Sequence, residues 1–326
     1  MSATSLEAKA GTSKTVTDAD EARGKRRRQP EDQGAVPMHI YGMKRGTVTL
    51  LTVLCALFSV FTLVPIAWIL INSTKSQSNL LYSFGFWFAR PFEFFHTFGM
   101  LFQNIDGQGI YFRWFLNTLL FAVVGGMGAT AVSTLAGYGF ARFQFRGAKA
   151  LFAFVVAALL VPLTAITYPL YLVYGKVGLI NSIWGMIFPS LVTPVGVYLM
   201  RTFVSSYVPR ELIDAARVDG AGELKIFFRV ALPVMVPGFM TVLLISVVGV
   251  WNNYFLPFII FSKTDLFPLT VGLGVWAAGA SAAGGNPRVY PMIVMGGLVT
   301  IVPLILVFLV IQRRWRGGLL LGSFAN

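Results

Sequence analysis

Glu211, Asp214, Arg217, Asp219, Glu223, Lys225 and Arg229 crowd into one run, Ser205 to Pro233 (SSYVPRELIDAARVDGAGELKIFFRVALP), while the sequence on either side is strongly apolar. Carboxylates interleaved with cations suit ion pairing with a partner rather than burial in lipid. Reaction chemistry finds little support elsewhere. His39 and His96 are the only histidines, Cys55 is the only cysteine and lies in an apolar stretch, and no HExxH pattern or Cys/His grouping occurs. No metal site, cofactor or disulfide is expected. There is no phosphate-cradling GxxxxGK[ST] loop, no carboxylate pair placed for acid–base work and no nucleophile with its base. The chain is not expected to be an enzyme.

The charged run reads as two short helices with a glycine break. Pro209 suits a first helical position, and Glu211 and Asp214 put negative charge at the positive end of the helix dipole. Leu212, Ala215, Ala216 and Asp219 recur at i, i+3, i+4 and i+7, which predicts a narrow, small-residue face flanked by Glu211, Asp214 and Arg217. Gly220 and Gly222 end the segment, since glycine accepts the left-handed conformation of a helix C-cap. In the second helix Leu224, Phe227, Phe228 and Ala231 form an apolar stripe, with Glu223, Lys225 and Arg229 on other faces, until Pro233 closes it. Spacing alone leaves two readings open, an amphipathic insert on the membrane surface and a docking element.

The elements that hold this run must be membrane helices. Of 326 residues, 56% are hydrophobic and only 12% charged, and the mean hydropathy is +0.71. A soluble domain is excluded, and a polytopic membrane protein is the class that remains. The net charge of +13 does not point to nucleic acid, because the basic residues sit in short clusters beside apolar runs. Residues 1–43 are polar, poor in aromatics and expected to be disordered, with Arg23, Lys25, Arg26, Arg27 and Arg28 as a retention charge ahead of the first span. The permease-like remainder, 44–326, holds six apolar runs long enough to cross at roughly 20 residues each, at about 47–71, 115–138, 151–174, 183–200, 234–261 and 291–311. The aromatic stretch from Leu80 to Phe112 is interrupted by Arg90, Pro91, Glu93 and Asp106 and is placed at the outer interface.

Six spans with the amino terminus inside put both termini and the 205–233 loop in the cytoplasm. Of the 26 Lys and Arg, six (Lys75, Arg90, Arg113, Lys176, Lys263 and Arg288) then fall outside, leaving twenty inside, which favours this orientation. Prolines 65, 162, 169, 189, 194, 257 and 303 interrupt helices, and Gly125, Gly126 and Gly128 allow close helix contact. The span centres carry no ionisable group, so an ion-coupled secondary carrier or channel is the weaker alternative and an external motor the stronger one. Trp251, Asn252, Asn253 and Tyr254 place amides beside aromatic faces in the fifth span. That pairing suits a sugar's hydroxyls and C–H faces, or equally hydrogen bonds between helices.

The run ELIDAARVDGAGELKIFFRVALP resembles the cytoplasmic loop that marks permease subunits of bacterial ABC importers. Asp214, Ala215 and Ala216 hold the Glu-Ala-Ala positions of that motif and Gly220 its glycine, with Asp in place of Glu shortening the acidic arm. Phe115-Leu116-Asn117-Thr118-Leu119, Gly137-Tyr138-Gly139-Phe140-Ala141-Arg142-Phe143, Gly178-Leu179-Ile180-Asn181-Ser182, Trp251-Asn252-Asn253-Tyr254 and the closing 317–326 tail also look like their counterparts in carbohydrate importer permeases. The similarity runs from about Lys44 to the end and is nearest to the second permease subunit of maltose-type importers. It implies an all-α type I permease fold in the inner membrane, a second permease subunit, two ATP-binding subunits that carry the hydrolysis, and an extracytoplasmic substrate-binding protein. By the same resemblance, Glu211, Asp214, Ala215, Ala216, Arg217, Asp219 and Gly220 would dock in an ATPase groove, Lys263 to Tyr290 would reach into the binding protein, and the cargo would be a sugar or sugar derivative.

Overall fold

Helices account for every regular element among the residues that the computed structural model describes, which are 45–103, 109–282, 285–286 and 289–319. The expected disordered tail, Asp106, Arg288 and most of the closing 317–326 tail lie outside the described residues, as do the side chains of Arg313, Arg314 and Arg316. The chain divides after Ser59. The described part of the first unit is the start of α1 (Arg45–Asn72), an apolar helix that runs through Pro65 without a break.

Within the second unit the end of α1 runs into a polar knot. The Asn72 amide donates to the Trp68 and Gly85 carbonyls at 2.7 and 2.8 Å, and Lys75 Nζ donates to the Phe84 carbonyl at 2.7 Å. Lys75 is fully buried, and that desolvation pulls its pKa below the ordinary lysine value. The knot folds back the stretch holding α2 (Gln77–Tyr82) and α3 (Phe94–Gln103). Tyr82, Phe84, Trp87 and Phe95 project from that stretch as exposed aromatics, a composition suited to headgroup depth.

The central element is α4 (Ile110–Arg142), 33 residues long. It packs on α8 (Pro194–Tyr207) and α11 (Leu232–Trp251). Glycines make that approach possible. A Cβ on Gly126 would stand 2.9 Å from the Val247 Cα, and one on Gly137 would stand 2.7 Å from the Arg201 backbone nitrogen. Gly125 and Gly128 similarly face Ser190 and Leu191. The buried hydroxyls of Thr118, Thr130 and Thr134 bond the carbonyl four residues back at 2.7 to 2.8 Å, so their donors are satisfied within α4.

The third expected span is two helices, α5 (Ala148–Ala158) and α6 (Leu163–Val177), bent by 102°. Pro162 causes the break: it has no N–H to offer the preceding turn, and it disfavours helical backbone at Val161. The described residues therefore contain five helices long and apolar enough to cross a membrane, or six if the bent pair is one crossing. The fourth span is α7 (Ile183–Ser190) followed by α8, which restarts at Pro194 with the Thr193 hydroxyl accepting the Gly196 N–H at 3.4 Å. The fifth is α11 plus α12 (Phe255–Ile260), and the last is α14 (Tyr290–Leu319).

At the end opposite the charged run, side chains from α4 pin a loop. Trp114 Nε1 donates to the Thr264 carbonyl at 2.7 Å, and the Asn117 amide donates to the carbonyls of Asp265 and Phe267 at 2.8 and 3.0 Å. The Thr118 hydroxyl accepts the Leu269 N–H at 2.7 Å, which anchors α13 (Leu269–Ser281). Asn181 joins from the α6–α7 turn, its Oδ1 accepting the Ser262 N–H at 2.7 Å. Replacing Asn117 with Ala strands two carbonyls and is expected to cost about 1–3 kcal/mol. A lower thermal midpoint of the purified protein, with faster proteolysis between 262 and 268, checks this.

Candidate functional site

The charged run is built on α9 (Arg210–Val218), which Pro209 precedes as its N-cap with extended backbone. Leu212 and Ile213 are adjacent on a helix, so only one can face inward. Ile213 does: it is 2% exposed, whereas Leu212 is 40% exposed. Ile213 and Ala216 join a cluster with Met200, Val204, Ile226, Phe227 and Met235. The predicted face of Leu212, Ala215, Ala216 and Asp219 stands mostly at the surface. Ala216 turns partly inward, while Leu212, Ala215 and Asp219 point to the surface beside Val218, which is 89% exposed. The interior is reached through a β-branched residue that spacing alone passed over.

Gly220 ends α9 at φ +77°. Its N–H meets the Arg217 carbonyl and the Ala221 N–H meets the Ala216 carbonyl, both at 3.0 Å, the paired bonds of a left-handed helix cap. Gly222 does not share this role; its extended backbone is the N-cap of α10 (Glu223–Ile226). The second helix also differs from expectation at its far end. It does not stop at Pro233 but passes through a π-helical turn, Phe227–Ala231, directly into α11. The wider turn, closed by the Leu232 N–H on the Phe227 carbonyl, shifts the bonding ladder just before the proline that has no N–H to give.

Arg217 clamps the two parts. Its Nε and Nη2 reach the two oxygens of Glu223 at 2.7 and 3.3 Å, and its Nη1 reaches Asp214 Oδ1 at 3.0 Å. Asp214, the shortened acidic arm, is thus engaged within its own loop. The Glu223 hydrogen bond, helped by the charges of Glu223 and Asp214, raises the Arg217 pKa above its ordinary value. The three side chains are 40 to 64% exposed, so water screens each pair and neither adds much stability. Their value is geometric, since a two-pronged guanidinium fixes the angle across the Gly220 turn. Leu224 and Phe228 are exposed beyond it, at 75 and 57%. With Leu212 and Val218 they give the loop an apolar, uncovered edge.

The loop is tied to the bundle by residues outside the run. The Arg142 Nη2, at the last turn of α4, donates to the Val204 carbonyl at 2.9 Å and to the Val208 carbonyl, capping the C-terminus of α8 where it enters the loop. The Tyr138 ring meets Phe227 edge-on at 5.1 Å. Arg142 stood in the sequence as a cation in a family-like motif, but its acceptors, backbone carbonyls 62 and 66 residues on, leave no trace in local pattern.

The second set of expected site residues straddles the α11–α12 break. Trp251 is 3% exposed and lies in the core with its ring edge-on to Phe115 at 6.2 Å. Asn252 is exposed, and its amide returns to the Val248 carbonyl at 3.0 Å. The Asn253 carbonyl accepts the Thr270 hydroxyl at 2.7 Å, and Tyr254, 41% exposed, stacks on Phe258 at 5.3 Å. Trp251 is therefore packing, and the polar groups at the surface are those that follow it. Among the described residues no three His, Cys, Asp or Glu side chains gather as a metal would require.

Residues 129–316 match the family described as the binding-protein-dependent transport system inner membrane component. The arabinooligosaccharides transport system permease protein AraQ of Bacillus subtilis is 33% identical over 274 residues, covering 84% of this chain and 94% of that protein. The diacetylchitobiose uptake system permease protein NgcG of Streptomyces coelicolor is 29% identical over 274 residues, covering 83% and 87%. A bacterial ABC transporter involved in the import of the acidic polysaccharide alginate shares the fold, with a TM-score of 0.69 at 20% identity over 83% of this chain and 98% of that one.

Proposed function

Because the chain belongs to the family of inner-membrane components of binding-protein-dependent transport systems, we propose that it is the membrane-spanning permease subunit of an ATP-driven importer for a sugar or sugar derivative. The observation that carries this reading is the clamped loop. A stretch whose fold is locked by Arg217 and Gly220, yet which leaves Leu212, Val218, Leu224 and Phe228 uncovered, is prepared for a partner surface. The apolar helices supply the complementary reason. Residues 114–141, 183–200, 230–262 and 289–312 contain no Asp, Glu, Lys or Arg, so the drive must come from outside them.

In this reading the chain pairs with a second permease, receives cargo from an extracytoplasmic binding protein, and faces two ATPase subunits with residues 205–233 on the cytoplasmic side, where both termini also lie. Glu211, Ala215 and Asp219 join the apolar edge at the ATPase surface, while Asp214, Arg217 and Gly220 hold its shape and Ala216 seats it on the bundle. Asn252, Asn253 and Tyr254 are offered to the sugar, with Trp251 as their backing. Relatives named for arabinooligosaccharide, diacetylchitobiose and melibiose/raffinose/stachyose import support oligosaccharide cargo.

The test is reconstitution into proteoliposomes. Uptake of labelled oligosaccharide is expected only with ATP inside and with the partner permease, ATPase and binding protein all present. Uptake by this chain alone, driven by an ion gradient, would sink the proposal in favour of a secondary carrier.

A further inference from the structure

Between the end of α4 and α9 lies a cavity of about 170 Å³, roughly ten times the space one water needs. Its polar lining is Arg142, Gln144, Arg210, Asp214 and Arg217. The charges do not cancel there. Asp214 is spent on Arg217, which also holds Glu223. Arg142 uses Nη2 on two backbone carbonyls, while its Nε–H is buried with no acceptor. Among the described residues Arg210 has no hydrogen-bond or ion-pair partner. Three guanidinium groups against one carboxylate thus line one half-open pocket, an arrangement that calls for an anion with several oxygens.

The surroundings say where that anion comes from. Gln144 brings the α4–α5 turn to the cavity, and in that stretch Phe143 and Phe145 are 39 and 46% exposed and Arg146 and Lys149 are exposed. Exposed aromatics interleaved with cations at the end of a membrane helix are the composition of headgroup depth. Basic pockets at that level accept anionic headgroups. We propose that the Arg142–Arg210 cavity binds the phosphate of an anionic phospholipid, with Gln144 as a further donor and Phe143 and Phe145 against the acyl region. An occupied site would brace α9 against α4 from the membrane side, without touching the apolar edge of the loop.

The test uses the full-length chain in nanodiscs of phosphatidylcholine with and without phosphatidylglycerol, extracted into detergent and weighed by native mass spectrometry. The wild type is expected to retain phosphatidylglycerol. Arg210→Gln should lower that retention about fivefold, the effect of one basic residue at an anionic surface, and Arg210→Lys should restore most of it. Arg210 has no hydrogen-bond or ion-pair partner among the described residues, so its variants report binding rather than folding, and Arg229→Gln, outside the cavity, should change nothing. Release of the retained lipid by inorganic phosphate would support recognition through the phosphate group. Equal retention in Arg210→Gln, or equal loss in Arg229→Gln, would overturn the site. So would a crosslink from position 210 to an acidic residue of an ATPase subunit with lipid retention unchanged, which would reassign the cavity to a protein carboxylate. Because retention is read on this chain alone, failure of the transport reading would leave the result standing.

Discussion

Gly220→Leu is expected to lower coupled uptake by about tenfold or more and to abolish substrate-stimulated ATP hydrolysis, while the chain still inserts in the membrane at near-normal abundance. The cause is confined to the backbone. Nothing lies within 4 Å of where a Cβ would stand, so no clash arises, but the +77° φ is strained for any branched or bulky residue. Left-handed backbone costs a side-chain-bearing residue about 1–2 kcal/mol. The turn can relieve that cost by giving up the two capping bonds to Arg217 and Ala216, and α9 and α10 would then leave the angle that Arg217 holds. A change of about 1.4 kcal/mol in the docking-competent population is already tenfold. Gly220→Asn, which tolerates this conformation, should keep most activity. Uptake and stimulated hydrolysis measured together in proteoliposomes decide the matter, and unchanged values for the leucine variant would remove the loop from the coupling path.

A larger effect on stability is expected at Gly137. A Cβ there would come within 2.5 Å of the Met200 Cβ and 2.7 Å of the Arg201 nitrogen. Backbone cannot step aside as a side-chain tip can, so Gly137→Leu must push α8 from α4. Overpacking a buried contact usually costs about 1–3 kcal/mol and occasionally more, and this contact places the branch against main chain. The variant is expected to be degraded or to melt well below the wild type. Gly139, two residues on, has nothing within 4 Å of its Cβ position, so Gly139→Leu is the control and should lose less than about 0.5 kcal/mol. Thermal stability of the two purified variants separates packing from a general aversion to leucine in this helix.

The contrast between these glycines shows how much could be read in advance. Apolar length announces α1 and α14, because lipid imposes a one-dimensional requirement that local sequence can meet. Pro162 was legible as an interruption, but its 102° consequence was not, since a proline's kink is set by what packs on either side. In the charged run the glycine break and both helices were visible, but spacing did not single out Ile213 as the inward residue. Four adjacent positions, Leu212 to Ala215, offer nearly equivalent stripes on a helix of nine residues, and only the partners on α8 and α11 choose among them. Asn117 and Asn181 stood in family-like motifs with no evident task. Their task is long-range: they satisfy carbonyls and N–H groups of a loop about 80 to 150 residues away, and that pairing cannot be read from neighbours.

The π turn at Phe227–Ala231 has a mechanical consequence. Because the run from Glu223 continues through the π turn and Pro237 into α11 without a break, the loop and the fifth span form one helical element, roughly 40 Å long at 1.5 Å per residue from Glu223 to Trp251. The element ends where the helix ends, at Asn252. In the proposed function a displacement delivered at the clamped end would reach the amides of Asn252 and Asn253, so the motor and the cargo would act on two ends of one element.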